Sequence, residues 1–156
     1  MSDLAFRRAE RADLPAIVAL LAEDTIPVDR EDASLPLDPR YEAAFDEIEG
    51  DPNQLLAVAT LGGRIVGTLQ ISVIAGLSFR GLKRGNIESV RIASDLRGGG
   101  HGTALMEWAV EQCRQRGCLL VQLTSTNSRH AAHRFYLRHG WKQTHLGFKL
   151  DLTETH

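Results

Sequence analysis

Four glycines stand before a predicted helix in DLRGGGHGTAL, residues 95–105, and their spacing suits the binding of a phosphate group. The pattern Arg97-x-x-Gly100-x-Gly102 follows the apolar segment SVRI. Because glycine has no Cβ, successive amide N–H groups can turn inward, and the positive end of the helix adds to the attraction for an anion. The sequence therefore predicts a pyrophosphate site, with Arg97 as a charged donor; the alternative is a plain loop without a ligand.

Two widespread phosphate-binding fingerprints do not fit these glycines. A dinucleotide motif G-x-G-x-x-G would need glycine at Thr103 or at Leu105. The nucleotide-hydrolase loop G-x-x-x-x-G-K-[ST] would need a lysine that this stretch lacks. Nucleotide hydrolysis and hydride transfer are therefore disfavoured as functions.

Composition predicts one globular domain, residues 1–156, without a membrane or nucleic-acid role. The formal net charge of −2 gives no basic field for nucleic acid, and no stretch is apolar enough to cross a membrane. The N-terminus lacks a secretion pattern, so a cytoplasmic location is expected.

The cysteines and histidines predict neither a disulfide framework nor a metal site. Cys113 and Cys118 form no C-x-x-C motif, and the pair His130 and His133 has no third ligand beside it in the sequence.

The elements that must position the glycines begin with a predicted strand, LAFRRA at residues 4–9, and a helix that starts at Asp13 and Pro15. Residues 26–52 are rich in proline and acids, and they predict a loop and a short helix near residues 40–49. The segments QLLAVAT and RIVGTLQISVI, separated by LGG, predict an antiparallel hairpin. A third strand, NIESVRIA, precedes the glycines.

The second half of the chain predicts two amphipathic helices with a strand between them. Apolar residues recur at helical spacing from the glycines to Gly117, and again in HAAHRFYLRH before Gly140. CLLVQLTS predicts a buried strand, and WKQT and LGFKLDL predict two closing strands. The fold class is therefore α/β (α+β), a mixed sheet covered by helices in the order β-α-α-β-β-β-α-β-α-β-β.

Two segments resemble the signatures of the GNAT superfamily of N-acetyltransferases. VRIASDLRGGGHGTALMEWAV resembles its strand, R/Q-x-x-G-x-G/A loop and helix. AHRFYLRHGW resembles its A-x-x-F-Y-x-x-x-G-F segment, with Trp141 in place of phenylalanine. The likeness runs from about Gly62 to Leu150. Within the superfamily, small-molecule acetyltransferases of the aminoalkylphosphonate type are the most similar to one segment, LTSTNSRHAAHRFYLRHGWKQTH. The resemblance implies a single-domain, mostly antiparallel central sheet flanked by helices.

The resemblance also implies that acetyl-CoA is the acetyl donor. The loop amides would hold the pyrophosphate, and the end of the preceding strand would pair with the pantetheine arm beside a neighbouring strand that splays away. Arg129 stands where the family often has an asparagine. We expect Asn127, two residues earlier, and His133 to contact the coenzyme as well. The implied coenzyme-binding residues are Val90, Arg91, Ile92, Arg97, Gly98, Gly99, Gly100, His101, Gly102, Thr103, Asn127 and His133.

Acetyl transfer to an amine requires that one proton be removed and another supplied. An amine with a pKa near 10 is neutral in about one molecule in a thousand at pH 7, and only the neutral form attacks a thioester. The resemblance implies that Glu88 accepts the amine proton, directly or through water, that the Ile92 N–H stabilises the oxyanion, and that Tyr136 protonates the leaving thiolate. The alternatives are an ion pair of Glu88 with Arg84 or Arg91 and a Tyr136 that only packs in the core.

The expected function is transfer of an acetyl group from acetyl-CoA to a primary amine of a small molecule in a ternary complex. In the family, the region of residues 26–52 often walls the acceptor site. Its acids would attract a cationic amine or form only a solvated face, whereas a phosphonate acceptor would need Arg80, Lys83 or Arg84. Protein lysine or N-terminal acetylation and a non-catalytic acyl-CoA-binding module are the alternatives. The closing strands offer an edge for a homodimer.

Overall fold

The computed structural model describes residues 3–23 and 30–154, which form an α/β fold. Its strands are β1 (Leu4–Arg8), β2 (Gln54–Leu61), β3 (Arg64–Ile74), β4 (Arg84–Ile92) and β5 (Leu120–Gln122). Its helices are α1 (Leu14–Ala22), α2 (Pro39–Glu49), the single turn α3 (Ser78–Gly81), α4 (His101–Gln115) and α5 (His130–Arg138). The predicted fold class is confirmed.

All five strands belong to one sheet in the order β1-β2-β3-β4-β5. The first four strands are antiparallel neighbours, and β5 pairs in parallel with the first three residues of β4. The predicted LGG turn joins β2 to β3, and its Gly62 and Gly63 have φ of +57° and +83°, as a tight hairpin with two left-handed residues requires. The sheet is therefore mixed and mostly antiparallel.

The core lies where helices α1 and α4 contact strands β3 and β4. Leu69 of β3 and Ile87 of β4 are fully buried, as are Val18 of α1 and Leu105 of α4. Apolar residues at helical spacing give each helix one face that can pack on the sheet. This packing holds in place the two elements that flank the glycines, β4 and α4.

Contacts within the chain group its residues into two compact units, Met1–Gln122 and Leu123–His156. The first unit contains the sheet with helices α1 to α4, and the second contains α5 and the residues after it. None of the residues 123–154 is buried. The expectation of one domain stays a prediction, and part of the predicted acceptor-side segment, residues 26–29, lies outside the described residues.

Two predictions about the strands are wrong, one about the closing strands and one about the length of the strand before α5. Residues 141–150 contain no strand, because apolar alternation forms a strand only where a neighbouring backbone completes the hydrogen-bonded ladder. The apolar side chains that suggested the last strand stay accessible, and Phe148 is 92% exposed. The predicted buried strand CLLVQLTS is reduced to Leu120–Gln122, and its neighbour Leu119 is 81% exposed.

Candidate active site

The glycine run forms a left-handed turn at the N-terminus of α4. Gly98 and Gly100 both have φ of +84°, and Gly100 is the N-cap residue of α4. Left-handed residues in such a turn direct successive amides toward one side. A Cβ added at either glycine would meet no atom within 4 Å, so the turn is open on its outer side. Because glycine has no side chain to cap the helix, an anion can satisfy the amides of the first turn.

The turn is held in place from its N-terminal side by a bidentate ion pair. The two terminal nitrogens of Arg64 donate to the two carboxylate oxygens of Asp95, each at 2.9 Å. The hydrogen bond from Arg64 lowers the pKa of Asp95, so its carboxylate stays charged. In addition, the Ala93 N–H donates to the Val66 carbonyl at 2.8 Å, and Ala93 is buried. These contacts fix the entrance of the glycine turn to strand β3.

Strand β4, which leads to the glycines, contains a bulge beside Glu88. The register between β3 and β4 shifts between Thr68 and Gln70, so β4 has one extra residue between Glu88 and Arg91. Ser89 within this bulge has φ of +56°, a conformation that is uncommon for a residue other than glycine. Bulges of this kind are over-represented next to active sites, where they redirect backbone and side-chain groups.

The other edge of β4 is open beyond its third residue. The ladder between β4 and β5 stops at Asn86 and Gln122. Within the described chain, residues 87–92 of β4 pair with β3 alone. Because backbone groups along a strand alternate between its two edges, half of those in residues 87–92 are directed away from β3. An extended ligand can pair with this edge, and residues 90–92, the predicted pantetheine contacts, belong to it.

Glu88 is exposed at the bulge and makes no ion pair with any residue that the structure describes. One of its two predicted alternative partners, Arg91, donates through Nη1 to the Val90 carbonyl at 2.9 Å. The other, Arg84, has an Nε that is buried without a hydrogen-bond partner in the described part of the chain. The carboxylate of Glu88 is therefore accessible to an amine or to water.

Tyr136 lies in the second unit, in an aromatic cluster of Phe135, Tyr136, His139 and Trp141. Its ring centroid is 5.3 Å from that of Phe135 and 5.7 Å from that of Trp141, both edge-on. Its backbone carbonyl accepts from the N–H groups of His139 and Trp141, each at 3.1 Å. Tyr136 is half-buried, and its catalytic role stays a prediction.

The remaining predicted contacts of the second unit surround the start of α5. The Nε2 atom of His133 is 2.9 Å from the Thr126 carbonyl oxygen, which orients the ring. Asn127 is exposed in the turn before α5. The rings of His130 and His133 are 5.9 Å apart, and no group of three or more ligating side chains capable of holding a metal occurs in residues 3–23 and 30–154.

Several acids that were expected to attract the acceptor are engaged in other contacts. The Tyr41 hydroxyl donates to Glu31 at 2.9 Å and accepts from the Asp32 N–H at 3.0 Å. Asp46 pairs with Arg11, and Asp38 caps α2 by accepting from the Arg40 N–H at 2.9 Å. These contacts stabilise α2 and the loop before it, which weakens the prediction of an amine-attracting surface.

Sequence reasoning missed the ion pair between Arg64 and Asp95 and the bulge at Ser89. The two charged residues are 31 positions apart, and the only signal was an arginine next to the hairpin glycines. The bulge has one weak sequence signal, because the polar–apolar alternation of NIESVRIA is interrupted where Glu88 and Ser89 follow each other. Both features depend on how β3 pairs with β4.

In a search of known families, the profile of the acetyltransferase (GNAT) family matches residues 15–141. A curated relative, the aminoalkylphosphonate N-acetyltransferase of Salmonella typhimurium, is 36% identical over 98 residues, which are 63% of this chain and 63% of that protein. The match thus spans less than two thirds of that relative.

Two solved structures cover nearly the whole chain. A transcriptional regulator from Bacillus halodurans C-125 is 41% identical with a TM-score of 0.92, covering 96% of this chain and 99% of that one. An acetyltransferase from Trypanosoma brucei is 28% identical with a TM-score of 0.78, covering 96% and 100%. The glycine turn, the bulged strand and the two signature segments thus agree with the family match, and the chain belongs to the acetyltransferase (GNAT) family.

Proposed function

We propose that this protein is an acyltransferase that transfers the acetyl group of acetyl-CoA to a primary amine of a small molecule. The observation that carries the proposal is the succession of a bulged strand with an open edge and a glycine turn that caps α4. The strand edge offers backbone pairing for an extended amide-containing arm, and the turn offers amides for a diphosphate. Both lie in the first unit and follow each other directly along the chain.

The coenzyme fits the residues of this region. A diphosphate needs backbone amides that can be approached closely, and a Cβ built at Gly98 or Gly100 would meet no atom within 4 Å outside the adjoining residues. Residues 97–103 would bind the diphosphate, and residues 90–92 would pair with the pantetheine arm. Asn127 and His133 of the second unit stay predicted contacts. When bound, acetyl-CoA supplies the thioester that is attacked.

The proton transfers are assigned to two side chains. Glu88, exposed at the bulge and without an ion pair in the described residues, accepts the proton of the attacking ammonium group, directly or through one water. The Ile92 N–H stabilises the negative charge that develops on the carbonyl oxygen. Tyr136, with a phenol pKa near 10 in the free side chain, donates a proton to the leaving thiolate of the coenzyme.

The acceptor is proposed to be a small amine, and an amine that carries an anionic group is favoured over a polycation. The curated relative is an aminoalkylphosphonate N-acetyltransferase, and Arg80, Lys83 and Arg84 supply cations between β3 and the start of β4. By contrast, Glu31, Asp38 and Asp46 make contacts within the protein. A homodimer and a cytoplasmic location are part of the proposal; no described helix is long and apolar enough to span a membrane.

The test is amine-dependent release of the coenzyme A thiol. Purified protein with acetyl-CoA is assayed against aminoalkylphosphonates, polyamines, aminoglycosides, amino acids and peptides. Turnover of a phosphonate-bearing amine supports the proposal, whereas turnover of peptides alone would assign protein acetylation. Thermal stabilisation by acetyl-CoA without turnover of any amine would instead indicate an acyl-CoA-binding module.

Gly100→Asp tests the glycine turn separately. The new carboxylate repels a diphosphate, so acetyl-CoA binding measured by calorimetry is expected to be lost while the circular dichroism spectrum is unchanged. Gly63→Asp is the matched control, because Gly63 has φ of +83° and a Cβ there also meets no atom within 4 Å. Each substitution costs about 1–2 kcal/mol for the left-handed backbone. Retained affinity in Gly100→Asp would make the stretch a plain loop.

A further inference from the structure

Strand β4 places three polar side chains in a row on one face of the sheet. They alternate with buried residues that face α4, since a Cβ built at Gly85 would lie 2.5 Å from the Cys113 sulfur of that helix. Because successive side chains of a strand point to opposite faces, Arg84, Asn86 and Glu88 lie on the face away from α4. This row comes before the bulge and before the residues assigned to the coenzyme.

Neighbouring strands extend the row into a polar floor. Asn86 is the cross-strand partner of Ser72, and Glu88 is that of Gln70. Cross-strand partners share a face, so the side chains of these β3 residues lie beside the row. Gln54 of β2 holds them in place, because its Oε1 accepts from Ser72 Oγ and from Gln70 Nε2, each at 2.9 Å.

The floor stays accessible although the same face is covered elsewhere. Val58, further along β2, is fully buried and clusters with Ile17 of α1. The polar side chains of the floor are only half-buried, and that of Glu88 is exposed. A small set of converging polar groups is what orients a polar small molecule in a binding site.

The side chains of the row lack partners among the residues that the structure describes. Neither Arg84 nor Glu88 makes an ion pair in this part of the chain, and the Asn86 amide makes no hydrogen bond there. The Nε atom of Arg84 is buried and also has no hydrogen-bond partner in the described chain. Buried polar groups are normally hydrogen-bonded, and a guanidinium fits a carboxylate or a phosphonate with paired N–H groups.

The other two cations of this region do not belong to the row. A Cβ built at Gly117, just after α4, would lie 3.9 Å from the Lys83 Nζ, so Lys83 extends toward the opposite face of the sheet. Arg80 is exposed in the single turn α3, before β4 begins. Of the three cations between β3 and the start of β4, Arg84 alone is on the polar floor.

We propose that Arg84, with Asn86, binds the anionic group of the acceptor while its amine lies at Glu88. This inference rests on the proposed function, because it takes Glu88 as the base that receives the amine proton. The Cα atoms of Arg84 and Glu88 are about 13 Å apart along the strand, a distance that the two side chains and a small zwitterion between them can span. The acceptor class is therefore a small amine that carries a phosphonate or a carboxylate.

Substitution of Arg84 tests the anion site. Wild type and Arg84→Gln are assayed with 2-aminoethylphosphonate, β-alanine and propylamine, which share a primary amine and differ in the anion. Arg84→Gln is expected to raise the KM of the anionic amines by about 10- to 100-fold, because charge-assisted bonds are lost, while kcat and the KM of propylamine change little. Arg84→Lys should recover part of the loss, since it restores the charge without the planar fork. A loss confined to one anion supports the proposal and identifies that anion, whereas equal changes for all three amines would overturn it.

Three further variants control for charge and position. Arg114→Gln removes the same charge from an exposed pair with Glu111 on α4, on the other side of the sheet, and should leave all KM values unchanged. Asn86→Asp keeps the size of the side chain and adds a negative charge to the row, so it should raise the KM of the anionic amines alone. A loss in Lys83→Gln with none in Arg84→Gln would place the anion on the other face and contradict the proposal.

Binding measured without acetyl-CoA separates this inference from the proposed function. Calorimetry is expected to show that 2-aminoethylphosphonate binds the wild type and that Arg84→Gln weakens its binding by the same factor as its KM. If no amine is turned over but this difference persists, the proposed function is refuted and the anion site is supported. If amines are turned over but neither KM nor binding responds to Arg84→Gln, the anion site is refuted and the acetyltransferase function is not.

Discussion

At the scale of single residues, Tyr136 permits the sharpest test of the proposed chemistry. Replacing it with phenylalanine removes the hydroxyl and keeps the ring contacts with Phe135 and Trp141. We expect kcat to fall by more than tenfold, because the thiolate loses its proton donor, while the dissociation constant of acetyl-CoA changes little. Steady-state kinetics and calorimetry measure the two quantities. An unaltered kcat would remove Tyr136 from the mechanism.

At Gly85, one added methyl group is expected to lower the stability of the fold. A Cβ there would lie 2.5 Å from the Cys113 sulfur and 3.7 Å from that of Cys118. Because Gly85 is buried in β4 and the site is already filled, Gly85→Ala is expected to lower the free energy of unfolding by about 1–3 kcal/mol in urea titrations. Gly76→Ala is the control, since its Cβ would meet only the Leu82 carbonyl oxygen, at 3.7 Å. Equal stability of the two variants would contradict this packing.

At the scale of elements, one buried carboxylate ties β1 to the turn that precedes α1. Asp13 accepts from Arg7 at 2.6 and 3.0 Å and from the Glu10 N–H at 2.8 Å. The hydrogen bond from Arg7 lowers the pKa of Asp13 below its ordinary value of 3.8. The folded state therefore favours the charged form. Its contribution to stability is complete above pH 3.8 and is lost as the pH falls through the folded-state pKa.

Asp13→Asn tests this contribution. At pH 7 the variant is expected to lose about 1–2 kcal/mol of unfolding free energy, because it keeps the size of the side chain but not its charge-assisted bonds. The difference from wild type should shrink below pH 3.8, where Asp13 takes up a proton in the unfolded chain, until the pH falls through its lower folded-state pKa. Urea titrations at pH 7 and pH 3 measure both values. Glu111→Gln, which removes only the exposed pair with Arg114, should change stability by less than about 0.5 kcal/mol.

Local patterns in the sequence predicted the elements that depend on nearby residues. The LGG hairpin and the glycine N-cap of α4 were predictable, because positive φ at these positions needs glycine whatever the rest of the fold does. The closing strands were not, since LGFKLDL specifies a face but not a neighbouring backbone. The bulge at Ser89 was missed as well: two adjacent polar residues interrupt the alternation there, but an extra residue in β4 is defined only by its pairing with β3. The candidate residues of the site stay predictions, and the contacts that hold their strand and turn in place were not predicted.

At the scale of the whole molecule, the proposed coenzyme site links ligand binding to the stability of the fold. Acetyl-CoA at a hundred times its dissociation constant is expected to add about 2.7 kcal/mol to the free energy of unfolding, because a ligand that binds only the folded chain stabilises it by mass action. Thermal denaturation with and without acetyl-CoA measures the shift, and Gly100→Asp should show none. An unchanged midpoint of the wild type would contradict a coenzyme site at the glycine turn.

The contact of Cys113 and Cys118 with Gly85 has a practical consequence for labelling. Both thiols are buried, and burial raises the pKa of Cys118 and raises that of Cys113 to about 11. Because the thiolate is the reactive form, the native protein should be nearly inert to maleimides and to disulfide reagents near neutral pH. A cysteine introduced at the exposed position 148 or 152 would then be the one readily alkylated group, and a fluorophore attached there could report on the surroundings of the residues after α5.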